Sequence, residues 1–166
     1  MDFIFDSSSL IYFGKINLLG KIALLKGRKL IPKCVYEEVI TKGKERKDEE
    51  IAEIEKLIEN KLFTIKNVSV PHNISDNLLS NADKEVLGLA KQINGVAIMD
   101  EEQGRNFAKY SGINYHGSIY LLLQLVKEKI ITKNEAVRYI DKMIDIGFYL
   151  SVDKYREVIK TIKGLR

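Results

Sequence analysis

Short runs of β-branched and aromatic residues alternate along this chain with longer stretches whose apolar positions return at the helical period. "DFIFD" (2–6), "KLIP" (29–32), "LFTI" (62–65), "VAIMD" (96–100) and "INYH" (113–116) read as strands. Asn17 is placed to cap a helix through Leu25 that ends at Gly27, and Pro32 opens another at its first turn. Residues 48–60 form a charged amphipathic helix, Ser80–Lys91 another, and Thr132-x-x-Glu135 is a capping box for a helix through about Asp145. Ser151 starts a last helix carrying Tyr155, Val158, Ile159 and Ile162. Strands alternating with helices imply βαβ units, a mostly parallel sheet and helices on both of its faces. No repeat or linker interrupts the pattern, and the longest loop spans 67–80 around Pro71.

Within this pattern some charges are out of place. In "SNADKEVLGLAK", Val86, Leu87 and Ala90 define an apolar face and Asp83 falls within it, whereas Lys84 and Glu85 point elsewhere, as solvated charges do. In "PKCVYEEVI", Glu38 lies inside the apolar arc with Val35 and Val39 while Glu37 faces away. Two strands end in an acid, Asp6 and Asp100, and ligands of open parallel sheets bind beyond the carboxyl ends of strands. Each acid has a bland alternative: strand-end Asp residues cap helices, Ser80-x-x-Asp83 is a variant capping box, and Glu38 can snorkel.

Taken together the four suggest one crevice. Like charges ~5 Å apart repel by about 3 kcal/mol per pair at an effective dielectric of ~20, so such a cluster needs protons or cations. Oxygen-only ligands favour hard divalent ions, Mg²⁺ or Mn²⁺, and those ions suit phosphate-bearing substrates and phosphodiester hydrolysis.

Composition narrows the alternatives. At 166 residues the chain fits one domain, 1–166, with a core over 1–128 and C-terminal helices over 132–166. A single cysteine, Cys34, allows no internal disulfide, and with only two histidines no Cys/His zinc site can assemble. Lysines interrupt the longest apolar region, and "MDFIFD" does not resemble a signal peptide, so the expectation is a cytoplasmic protein without a membrane span. The net charge of +4 is uneven: residues 1–47 hold ten Lys/Arg against five Asp/Glu, which suits a polyanionic partner, although solvated helix faces explain it as well. A dinucleotide enzyme would need a glycine-rich turn after the first strand, and a phospho-acceptor domain a paired acid there; "FIFDSSS" has neither.

"FIFDSSSLIYF", "IPKCVYEEVI", "ADKEVLGLAK" and "IMDEEQGRNFAKYSGI" followed by "HGSIYLL" occur in the order found in PIN-domain nucleases. The chain most resembles the small prokaryotic members of the VapC toxin type, over roughly residues 1–128, and "GFYLS" is similar to the tail of one subgroup. This resemblance implies a three-layer α/β sandwich with parallel strand order 3-2-1-4-5. It implies metal-dependent endoribonuclease activity with Asp6, Glu38, Asp83 and Asp100 at the acidic positions, and Mg²⁺ or Mn²⁺ as cofactor.

The chain departs from the pattern twice: Ala82-Asp83 stands where relatives often have Gly-Glu, and Asp100-Glu101 where an Asp pair is common. Glu101 reads as an accessory ligand or as a first-turn helix acid. Ser8 can bind a ligand or cap the backbone, Ser118 sits where the family often has a small polar residue, and Arg105 can meet phosphate or form a structural pair. His72 and His116 receive no catalytic role, and Cys34 reads as packing.

The expected function is an RNA-hydrolysing toxin with an antitoxin partner. A catalytically weak RNA- or protein-binding module and a housekeeping RNA-processing nuclease are the alternatives. Ile140, Met143, Ile144, Val158 and Ile162 exceed what a small one-sheet core needs and suggest a homodimer.

Overall fold

The computed structural model describes residues 1–46, 48–74 and 78–165, so the middle of the expected 67–80 loop and the last residue of the expected domain lie outside the described residues. Five parallel strands, β1 (Phe3–Phe5), β2 (Lys29–Pro32), β3 (Thr64–Lys66), β4 (Val96–Ile98) and β5 (Tyr115–His116), form one sheet in the order β3-β2-β1-β4-β5. The three inner strands are buried along their whole length and therefore read as continuous apolar runs, apart from Lys29. The Lys29 ammonium donates to the Leu25 and Gly27 carbonyls at 2.7 and 2.8 Å, which satisfies it inside.

The helices are α1 (Ser7–Lys15), α2 (Leu19–Ala23), α3 (Lys33–Arg46), α4 (Glu50–Glu59), α5 (Asn81–Ile93), α6 (Glu102–Tyr110), α7 (Ser118–Lys127), α8 (Lys133–Asp145) and α9 (Val152–Gly164). From β1 the chain proceeds outward to β2 and β3, then returns through α5 to β4 on the other side of β1 and proceeds to β5. Right-handed crossovers leading in opposite directions put the helices of the two halves on opposite faces. The strand order reverses between β1 and β4, and there the crossovers diverge and leave a crevice beyond the carboxyl ends of these two strands. Asp6 and Asp100 follow those two ends.

The structure moves several expected boundaries. Asn17 does not start a helix. It takes a left-handed conformation (φ 55°), its N–H donates to Gly14 and that of Leu18 to Phe13, so it ends α1 in a Schellman turn; asparagine favours both ends of helices. α2 follows without a side-chain cap, and Pro32 closes β2 one residue before α3. β3 begins two residues later than expected because Lys61 (φ 58°) and Leu62 complete a similar turn at the end of α4. Both expected capping boxes form, at Thr132/Glu135 and Ser80/Asp83, and Ser151 caps α9.

Glu85 is not a solvated charge. Its carboxylate accepts from the Cys34 backbone N–H (2.9 Å) and thiol (3.1 Å) and so caps α3 from α5. Cys34 is accordingly half-buried and hydrogen-bonded rather than a simple packing residue, and that bond chiefly pushes its thiol up to about 11. Ile140, Met143, Val158 and Ile162 are buried within the chain, where α7, α8 and α9 pack together, so only Ile144 of the five apolar residues stays exposed. No helix among the described residues is long and apolar enough to cross a membrane.

Candidate active site

Asp6 leaves β1 and becomes the N-cap of α1. One carboxylate oxygen accepts from the Ser9 backbone N–H at 2.7 Å and the other from the Ser8 hydroxyl at 3.0 Å. Capping and site placement therefore coexist in Asp6. Its side chain is almost wholly buried, and burial, reinforced by the negative charge of Asp100, pushes its pKa up to about 7 against the hydrogen bonds from Ser9 and Ser8.

Asp100 does not cap α6, where Glu101 occupies the N-cap position without a side-chain bond. Asp100 is instead held by the start of α7: its Oδ1 accepts from the Ser118 N–H at 2.9 Å and its Oδ2 from the Ser118 hydroxyl at 2.5 Å. Burial raises its pKa, and these bonds with the nearby Arg105 charge oppose the rise. Gly117 makes the approach possible, since a Cβ there would lie 2.7 Å from Asp100 Oδ1.

The other two acids line the same cleft in tethered form. Glu38 accepts from the Ser7 hydroxyl at 2.7 Å and pairs with Lys42, one turn on, at 2.5 Å; chiefly that ammonium lowers its pKa. Asp83 Oδ2 accepts from the Ser80 N–H and hydroxyl, completing the capping box, which leaves Oδ1 outside it. A hollow of about 350 Å³ brings Asp6, Glu38 and Asp83 together with Lys42 and Arg46. A second, of about 580 Å³, lies against Asp100, Arg105, Tyr12 and the turn at 147–151. Ser8 and Glu101 line both, so the two are halves of one cleft. Arg105 is exposed, with its guanidinium 5.8 Å from the centre of the Tyr115 ring.

As the side chains stand, no three of the described Asp, Glu, His or Cys residues converge as a metal cage; Lys42 holds Glu38 and Ser80 holds Asp83. The central donor set still suits a hard divalent ion. Asp6 and Asp100 offer only oxygens, and each is penalised for carrying its charge without a cation.

Ser7, Ser9, Lys42, Arg46 and Gly117 were not singled out from sequence. The "DSSS" run and the four-residue spacing of Glu38 and Lys42 were the available signals for the first three. Arg46 and Gly117 gave none, because their roles exist only across elements.

The parallel α/β sheet thus carries two acids, buried Asp6 and half-buried Asp100, at the ends of adjacent strands at its switch point. The family model described as PIN domain matches residues 2–164, and the chain belongs to the PIN-domain family, whose members are generally nucleases that use divalent metals. No curated protein matches the chain.

Proposed function

We propose that this chain is a metal-dependent endoribonuclease. The observation that carries the reading is the pair of strand-end carboxylates, buried Asp6 and half-buried Asp100, both disfavoured in their charged form by desolvation. Asp6 and Asp100 would hold Mg²⁺ or Mn²⁺, with Glu38 and Asp83 supplying further oxygens once released by Lys42 and Ser80. A divalent ion there supplies activation of water and stabilisation of charge at phosphorus.

The chain's own groups do the rest. Ser8 and Ser118 orient the two carboxylates, and Gly117 lets Asp100 sit close to the backbone. Lys42 and Arg46 on one side of the cleft and Arg105 and Lys154 on the other lie where they can meet the phosphates of an RNA strand. Attack by water leaves a 5′-phosphate and a 3′-hydroxyl.

Single-stranded RNA incubated with Mg²⁺ or Mn²⁺ should be cut to 5′-phosphate ends and left intact in EDTA. Cleavage that continues with all divalent ions removed overturns the mechanism. The tethering of Glu38 and Asp83 favours a second reading, a catalytically weak RNA-binding module, and there RNA binds without being cut.

The resemblance to VapC-type sequences supports a more particular role as the toxin of a toxin–antitoxin pair, working as a homodimer in the cytoplasm. Induced expression should arrest growth, and a small protein encoded next to the gene should relieve the arrest. Unimpaired growth with active enzyme would instead support a housekeeping nuclease.

A further inference from the structure

The cleft is chemically uneven. The half around Asp6 is lined mainly by charged and hydroxyl groups, whereas the half beyond Asp100 is walled by Tyr12, Tyr120, Phe148, Tyr149 and Leu150. Hydrolysis at the acidic pair does not by itself require that aromatic wall. Its volume of about 580 Å³ falls in the range of roughly 300–1,000 Å³ typical of small-molecule sites.

The wall is built to hold its shape. At the end of α8 the N–H groups of Gly147 and Phe148 donate to Ile144 and Met143, both at 2.9 Å, in a Schellman turn with Gly147 at φ 98°. This turn sends Phe148 into the core, edge-on to Tyr12 at 5.3 Å, and leaves the next residue, Tyr149, 87% exposed on the cleft. Tyr120, which lines the same hollow, stacks in parallel on His116 at 3.7 Å. Among the described residues no hydrogen bond, ion pair or ring contact engages the Tyr149 side chain, which the turn holds out.

We infer that the turn Gly147–Ser151 and Tyr120, which line one hollow, form a nucleobase subsite, in which one unpaired base of the RNA stacks on Tyr149 beside the scissile phosphate. This assignment rests on the RNA reading above. Three features favour a nucleobase as occupant: the cleft runs unbroken from the acids, cationic Arg105 edges it for the flanking phosphates beside Lys154, whose ammonium pairs with Glu157 at 2.8 Å, and its walls are aromatic. Stacking on exposed aromatic rings is how single-stranded nucleic acids are held with little sequence demand. The substrate strand must then be single-stranded at this position, because a paired base cannot leave its stack to enter.

The test uses the full chain and a set of short single-stranded RNAs, each carrying 2-aminopurine at a different position, in EDTA so that binding is read without cleavage. One position should be quenched on binding. Tyr149→Ala should abolish that quenching and weaken binding about tenfold, equivalent to about 1.4 kcal/mol, while Tyr149→Phe should keep both, since stacking needs the ring and not the hydroxyl. Unchanged binding and quenching in Tyr149→Ala overturns the subsite, as does a Phe variant as weak as Ala. Tyr149-dependent quenching in a protein that never cuts RNA with Mg²⁺ or Mn²⁺ supports the subsite and removes the nuclease reading. Metal-dependent cleavage without any effect of Tyr149 removes the subsite alone, and a chain that neither binds RNA nor cuts it with Mg²⁺ or Mn²⁺ loses both.

Discussion

Ser118 grips Asp100 with two donors, its backbone N–H and its hydroxyl, so the start of α7 sets the orientation of the carboxylate at the end of β4. Both bonds favour the charged form, against the burial that disfavours it. Removing the hydroxyl in Ser118→Ala should raise the Asp100 pKa further, so the acid limb of the cleavage–pH profile should move to higher pH. An unmoved limb would mean that Asp100 does not control the reaction.

Asp6 gives a stability prediction with a definite sign. Its folded pKa, about 7, lies above its ordinary value of 3.8, so between these the folded state binds more protons than the unfolded one. Without divalent ions, this group's contribution to stability should therefore fall as pH rises from about 4 to about 7. Added Mn²⁺ should raise Tm at neutral pH and have little effect at pH values near 4. Asp6→Asn should flatten the metal-free pH dependence and abolish the response to Mn²⁺, as thermal melts across pH will show.

Gly117→Ala places a methyl group against Asp100 Oδ1. Displacing that carboxylate should lower Mn²⁺ affinity and RNA cleavage at least tenfold, as titration and kinetics would register, while far-UV circular dichroism stays native. Unaltered metal affinity would show that Asp100 has room to move without consequence.

Asp83 combines a cap with a cleft position, and two substitutions separate these. Asp83→Asn should lose about 0.5–1 kcal/mol of stability through the weakened capping box and helix-dipole interaction, and should also lose divalent affinity and cleavage. Asp83→Glu should keep the cap and substantial activity, because Glu is the better capping-box partner and retains the charge. Normal cleavage in a destabilised Asn variant would confine Asp83 to capping.

Cys34 donates to Glu85, and its thiol pKa of about 11 leaves little thiolate at pH 8. Alkylation should be slow, and Glu85→Gln should speed it by roughly ten- to a hundred-fold as the thiol returns toward its ordinary pKa. Equal rates in the two proteins would show that Glu85 is not the cause.

Much of this architecture is local and was legible in the chain. The strand runs, the capping boxes at Ser80 and Thr132 and the cap at Ser151 depend on residues within a few positions of each other, and periodicity with cap chemistry is enough to find them. Strand order followed from family resemblance and not from the pattern itself. The acids at the ends of "DFIFD" and "VAIMD" were visible because a charge directly after an apolar run has no packing reason to be there.

What periodicity could not supply was the partner of each polar group. Asn17 favours both helix ends, and only the Schellman bonds in the folded chain chose the stop. Glu85 sits on the polar side of its own helix, yet α3 happens to begin beside it and offers an unpaired N–H. Ser118 reaches Asp100 across 18 residues and Ser7 reaches Glu38 across 31, contacts fixed by sheet order. The sequence by itself determined which segments become strands and helices, because those choices rest on neighbours along the chain. Only the tertiary structure decided which acids meet and what neutralises them, because desolvation and hydrogen bonding depend on neighbours in space.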